Sequence, residues 1–387
     1  MPELILPIDN RSTRVKIDRA STYRPPSKPL TSRIAYAAGH VVAKNVVAKN
    51  NAADPTDNTI DWDATLAFRH HLWSYGLGVA EAMDTAQRGL GLDWDSARDL
   101  IARSLAEATG PIACGAGTDH LPADRPVSIS EIIAAYEHQC DWVERHGGRV
   151  ILMASRALAR SATSPDDYVE VYSRILTQLR QPAILHWLGD MFDPKLAGYW
   201  GSPDLTQAME VCLSLIRDHA PKVDGIKISL LDAQREIDMR RQLPEGVRMY
   251  TGDDFHYDQL ILGDSQHHSD ALLGIFDAIA PAASAAIQAL DNHNPAEFNR
   301  ILAPTIPLSR HIFEHPTYSY KTGIVFLAYL NGHQNHFHVI GNQESARGIS
   351  HLSKLLVLAN EAGILANPDL ACERMQSVLD RAKISTR

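Results

Sequence analysis

Cysteine is scarce in this 387-residue chain: Cys114, Cys140, Cys212 and Cys372 are widely scattered, and no C-x-x-C pair occurs. That excludes a disulfide scaffold and a thiolate metal knuckle, and it reads as reduced, mostly buried thiols in a cytoplasmic protein. Long apolar runs are missing too. None approaches the ~20 residues of a membrane span, so no membrane is expected as a partner. The first residues, MPELILPIDNRSTRVKI, lack a basic segment ahead of an apolar one, so no signal peptide is expected. Basic charge is in deficit, with 37 Lys and Arg against 46 Asp and Glu and a net charge of −9. A nucleic acid or an anionic membrane surface is therefore not the expected partner. The six tryptophans do not interleave with basic clusters, which argues against base stacking. Solenoid-type repeats and long low-complexity tracts are absent.

What remains is an ordinary core-forming composition, 45% hydrophobic and 21% charged. That length suits one large α/β barrel with an appendage or two domains of common size. Residues 1–32 are polar and proline-rich and read as an N-terminal arm. Strand patterns follow at 33–40, 78–83, 111–117, 149–154, 183–188, 225–230, 248–253 and 274–279. Helical patterns separate nearly all of them, and the stretch 48–58 reads as a loop. Asp61 and Gly76 bracket one helix, and Ser128 and Glu131 have capping-box spacing at the start of another. Eight strands alternating with helices predict a (β/α)₈ TIM barrel over 33–281. A doubly wound sheet is the alternative, but no G-x-G-x-x-G follows the first strand. Five further helical patterns predict a C-terminal helical region over 282–387.

One stretch stands out. VDGIKISLLD, residues 223–232, is strand-forming but carries Lys227 at its centre. Burying an ammonium is costly unless it is paired or neutralised. In a TIM barrel, chemistry gathers at the C-terminal ends of strands. That rule collects His40, Asp84, Thr85, Thr118, Asp119, His120, Ser155, Arg156, His186, Asp253, Asp254 and His256 on the same rim as Lys227. GYWGSP, 198–203, is placed to form a lid over it.

The order of these blocks resembles the pyruvate-dependent class I aldolases, typified by dihydrodipicolinate synthase and N-acetylneuraminate lyase. GIKIS (225–229) resembles that family's Schiff-base strand. MYTGDD (249–254) with GIFDAIAP (274–281) resembles its seventh and eighth strands, and PLSRHIFEHPTYSYKTGIVFLAYLNG (307–332) its C-terminal helical segment. The resemblance spans roughly residues 33–335, in a divergent branch. It implies a lyase of the aldolase or dehydratase type with no cofactor beyond a covalent Schiff base on Lys227. It also implies a small keto substrate and a homodimer or homotetramer. His186 occupies the place of the family's proton-shuttling tyrosine, and histidine can carry protons in its stead. Where the family has a Gly-Thr-Thr-Gly-Glu turn for the keto acid carboxylate, this chain reads Met83-Asp84-Thr85-Ala86-Gln87-Arg88-Gly89. Only Thr85 is retained, and Asp84 would repel a carboxylate unless Arg88 or a cation compensates. Ala154-Ser155-Arg156 replaces the family's tyrosine pair, and Met191 replaces an arginine. These departures point to a keto sugar or sugar acid, with Asp84, Thr85, Arg88, Asp119, His120, Arg156, Asp253 and His256 as substrate-binding candidates.

Two other functions fit the same barrel. The eighteen histidines allow a metal-dependent lyase or isomerase, with His40, Asp119, His120, His186 and His256 supplying ligands for Zn²⁺, Mn²⁺ or Mg²⁺. No H-E-x-x-H supports it, and no metal ligand is assigned. A non-catalytic sugar-binding barrel would explain the lost threonine and tyrosine positions, but not a lysine kept inside an apolar strand.

Overall fold

A computed structural model describes residues 3–9, 11–44 and 60–383; the loop expected at 48–58 lies outside them. The chain divides into two compact units, one of residues 33–39 and 78–274, the other of residues 1–32, 40–77 and 275–387. In chain order the strands are β1 (Glu3–Ile8), β2 (Arg11–Lys16), β3 (Ala35–Ala38), β4 (Gly78–Glu81), β5 (Ile112–Ala116), β6 (Arg149–Leu152), β7 (Ala183–Leu188), β8 (Val223–Ser229), β9 (Arg248–Thr251) and β10 (Asp270–Leu273).

Strands β3 to β10 close a parallel barrel in which β10 returns to β3. Helices α1 (Trp62–Ser74), α2 (Trp94–Glu107), α3 (Ile129–Arg145), α4 (Arg156–Ser161), α5 (Pro165–Gln178), α6 (Leu205–Asp218), α7 (Ala233–Arg240) and α8 (Tyr257–Leu262) alternate with them along the chain. This is the expected TIM barrel. Its interior is filled by residues at alternating strand positions, among them Tyr36, Ala80, Ala113, Ile151, Ile184, Tyr250 and Leu272. Glycine makes room for the two tyrosines. A Cβ on Gly225 would stand 2.7 Å from the Tyr250 ring, and one on Gly78 2.6 Å from the Tyr36 ring.

Local signals set several helix starts as expected. Ser128 and Glu131 close a reciprocal capping box on α3. Asp61 accepts the Ala64 N–H at the start of α1, and Gly76, at φ +74°, follows that helix where only glycine sits without strain.

Two expectations are corrected. The eighth strand is not 274–279 but β10, DALL; the run GIFDAI opens helix α9 (Ile275–Asp291) instead. The polar Asp270 hid the strand, and the β-branched Ile275 and Ile279 imitated one. Asp270 is needed there because its carboxylate accepts the Ile34 N–H at 2.7 Å and faces Arg248. Pro281 then lies inside α9, where the backbone departs from helical angles at Ile279. The N-terminal segment is also more than an arm, since β1 and β2 form an antiparallel hairpin in which Leu4 and Leu6 are buried.

The second unit continues with α10 (Pro295–Leu302), α11 (Thr305–Ile312), α12 (Tyr320–Leu330), α13 (Ile349–Glu361) and α14 (Pro368–Arg381), close to the helical patterns of the sequence. There β1 packs on α13 and α14, and α11 on α13. No helix among the described residues is long and apolar enough to cross a membrane.

Candidate active site

Register decides what Lys227 faces. His186 on β7, Lys227 on β8 and Tyr250 on β9 are consecutive partners across the barrel. Side chains in register on adjacent strands share a face, and Tyr250 belongs to the interior. Lys227 therefore points into the barrel, where it is 7% exposed. Its path is open because position 252 is glycine: a Cβ there would lie 2.7 Å from Lys227 Cε and would also collide with Ser229 Oγ. Among the described residues Lys227 has no side-chain hydrogen-bond partner. Burial lowers its pKa below that of a free lysine, with the charges of Asp84 and Asp254 opposing that shift.

His186 is buried, and neither ring nitrogen has a hydrogen-bonding partner. Its Nδ1 stands 3.9 Å from Asp84 Oδ2. Burial, then the neighbouring Lys227, pushes the imidazole well below its ordinary pKa. Burial thus disfavours the charged form of this ring.

A cavity of about 280 Å³ opens at this end of the barrel, lined among others by Asp84, Thr118, Met153, Arg156, His186, Asp193 and Lys195. Asp84 comes from a short 3-10 turn, Asp84–Ala86, that follows β4. Asp84 and His186 lie on the cavity wall, and Lys227 is not part of that lining. Of the other sequence candidates, Arg88 and Asp119 also reach the cavity, whereas Thr85, His120, Asp253 and His256 stand outside its lining.

Several candidates are committed to other partners. Arg88 does not offset Asp84, because all five guanidinium N–H groups already have acceptors. Nε and Nη2 hold Asp119 at 2.7 and 2.8 Å, Nη2 also reaches Gln139 at 2.6 Å, and Nη1 donates to the carbonyls of Ala82 and Gly115. Trp94 stacks on the guanidinium at 5.0 Å. Burial alone would raise the Asp119 pKa, but Arg88 and Gln139 outweigh it and hold the carboxylate below its usual range. Asp253 is committed to its own turn. Its Oδ1 accepts the N–H groups of Phe255 and His256 at 2.8 and 3.0 Å, and its Oδ2 holds His256 Nδ1 at 3.0 Å. His120 Nδ1 is bound by Gln139 at 2.8 Å. Arg156 is paired with Asp193 through Nε and donates to the Gly89 carbonyl at 3.0 Å.

Among the described residues, the ligands considered for a metal-dependent lyase do not form a group of three within ligand reach. His40 Nδ1 holds Asp277 at 2.8 Å. Histidines 120 and 256 have the partners just described. The GYWGSP segment is not a lid: Tyr199 and Trp200 are buried, and the Tyr199 hydroxyl accepts the Ser155 N–H at 2.9 Å and pairs with Tyr172. Beside them Thr118 and Ser155 share a 2.6 Å hydroxyl contact. Gln139, Tyr199 and Gly252 were not singled out from sequence. The available signal was Gly252 itself, an isolated glycine at the end of an apolar strand.

Comparisons with known proteins agree on the fold. None of the curated proteins matches the chain in sequence. Solved structures do match in shape. Dihydrodipicolinate synthase from Thermotoga maritima is 14% identical with a TM-score of 0.64, covering 86% of this chain and 99% of that one. YagE from E. coli K12, a prophage protein of the dihydrodipicolinic acid synthase family solved with pyruvate, is 12% identical with a TM-score of 0.64 and the same two coverages. The synthase from Oceanobacillus iheyensis is 16% identical, with a TM-score of 0.59 and coverages of 85% and 96%. The fold is thus the one these dihydrodipicolinate synthase family structures have. Residues 4–384 match a single family model, and the chain belongs to that family, described as Protein of unknown function (DUF993).

Proposed function

We propose that this protein is a class I aldolase or related lyase that forms a Schiff base between Lys227 and a polyhydroxylated ketone. The observation that carries the reading is a lysine amine inside the barrel, free of hydrogen bonds among the described residues. It faces the His186 imidazole, and burial shifts the amine toward its nucleophilic form. The likeness in shape to dihydrodipicolinate synthases supports the same chemistry.

In this reading the Lys227 amine adds to the ketone carbon, and loss of water gives an iminium. The proton of a hydroxyl two carbons from the iminium carbon passes to the unprotonated ring nitrogen of His186 as the bond between those two carbons breaks, and the hydroxyl-bearing part leaves as an aldehyde. The bonding pair enters the iminium to give an enamine. Reprotonation and hydrolysis then release the ketone fragment and restore the amine. Dehydration or condensation would use the same intermediate. Asp84 favours a substrate with hydroxyls near the carbonyl over one with a carboxylate there, because Arg88 has no donor left to neutralise either charge. That separates this site from the YagE structure, which holds pyruvate.

The test is reductive trapping. Each candidate ketose or keto sugar acid is incubated with the protein and borohydride, and the product is digested and analysed by mass spectrometry. An adduct on Lys227 that Lys227→Met abolishes is the expected result. Adducts forming equally on both proteins, or on neither, would overturn the reading.

A further inference from the structure

A second constellation lies in the other unit, far along the chain from Lys227. His311 sits in the last turn of α11, Glu314 follows in the loop, and His351 lies in the first turn of α13. Their ligand atoms all come within 4.8 Å of one another. His311 Nδ1 is 3.2 Å from Glu314 Oε2, and His351 Nδ1 is 2.9 Å from Glu314 Oε1. Nitrogen and oxygen ligands held about 2.0–2.1 Å from a tetrahedral ion stand roughly 3.3 Å apart, and with one ligand atom from each residue the three are close enough to gather around one ion.

The hydrogen bonds around the cluster carry the argument further. His311 Nε2 lies 2.9 Å from the His351 carbonyl oxygen, which can only accept. Nε2 therefore carries a hydrogen, and Nδ1, turned toward the Glu314 carboxylate, is the atom this ring offers to an ion. A backbone carbonyl holding the far N–H of a ligating imidazole is also the usual outer shell of a metal-bound histidine. The two rings stack with centroids 3.9 Å apart and both turn Nδ1 toward the one carboxylate.

The loop that supplies Glu314 is held independently of any ion. Arg347 donates to the carbonyls of Ile312, Glu314, His315 and Pro316. Its terminal N–H groups go to backbone oxygens, and the carboxylate remains to face the imidazoles. His351 Nε2 is buried and has no partner.

We propose that His311, Glu314 and His351 bind one divalent transition-metal ion, with Zn²⁺ the best match to two imidazoles and a carboxylate. Such an ion would tie α11 to α13. Three protein ligands leave one tetrahedral position for water, and the half-exposed Glu314 side chain gives a route in.

The test uses the full chain without a purification tag, stripped with chelator and dialysed against ZnCl₂. Elemental analysis is expected to find one zinc per chain, and calorimetry a single site. Glu314→Gln and His351→Gln should each weaken binding tenfold or more, while His267→Gln, a control for casual histidine binding, leaves it unchanged. Zn²⁺ should also raise the melting temperature of the wild type and not that of Glu314→Gln. Co²⁺ should give the visible absorption of a tetrahedral site. The proposal falls if zinc does not bind stoichiometrically. It also falls if Glu314→Gln, a mild change at a half-exposed position, binds within twofold of wild type. Trapping on Lys227 uses no metal, so either proposal can fail alone.

Discussion

A buried amine beside carboxylates is pulled in two directions. Burial drives Lys227 toward its neutral form, and Asp84, then Asp254, oppose it, with a net pKa below the ordinary 10.5. The neutral amine is the nucleophile, so kcat/KM is expected to rise with pH along a limb whose midpoint lies below 10.5. Asp84→Asn removes a charge that stabilises the ammonium, so the limb should move to lower pH. A shift upward, or none, in the pH–rate profile would contradict the placement of Asp84 beside the amine. The same shift acts on stability. Between the lowered native pKa and the unfolded value, the unfolded chain binds a proton that the native one does not. Stability therefore rises with pH across that window. Lys227→Met keeps the bulk and removes the buried amine, so it should raise unfolding stability by about 1–2 kcal/mol, as relieving an active-site strain often does. It should also flatten that pH dependence in urea titrations.

Between neighbouring elements, the joint of β8 and β9 depends on Gly252, and the turn after β4 depends on Arg88. In Gly252→Ala the added methyl meets Lys227 Cε and the Ile228 carbonyl oxygen, each at 2.7 Å. Overpacking of this kind costs about 1–3 kcal/mol. Because the displaced group is the reacting side chain, trapping on Lys227 should slow at least tenfold. A wild-type trapping rate in Gly252→Ala would remove the glycine from the account. Arg88→Met removes the guanidinium bonds to Asp119, Gln139 and the Ala82 and Gly115 carbonyls, leaving the Asp119 carboxylate without its cation and held by Gln139 Nε2. Breaking a buried pair in this way costs about 3–5 kcal/mol; the partial exposure of Asp119 places the expected loss at the lower end, read as a fall in urea midpoint.

Across the whole molecule, the two candidate sites belong to different compact units, so their chemistries are separable. Chelator treatment is expected to leave borohydride trapping on Lys227 within twofold of untreated protein, while zinc added back raises only the melting temperature. Loss of trapping on chelation would instead favour a metal-dependent reaction in the barrel. The acidic net charge of −9 accords with the proposed substrate, read by hydroxyls more than by carboxylates.

How much of this was legible follows from the range of the forces involved. The alternation of strands and helices, the caps at Asp61 and Ser128, and the turn at Gly76 all rest on neighbours a few residues apart. They were readable along the chain, and β7 falls where the sequence placed it. DALL was missed because four residues with one aspartate carry too little periodicity, and only the barrel supplies that strand's partners. The chain also placed Lys227 in a strand, since an isolated cation among β-branched residues is itself a signal. What Arg88, Asp119 and Asp253 do was decided only by tertiary structure. Arg88 finds Asp119 and Gln139 at separations of 31 and 51 residues, and His311 meets the His351 carbonyl across 40. A side chain's donors are exhausted or left free by whichever groups the fold brings within about 3 Å, and no local pattern records that.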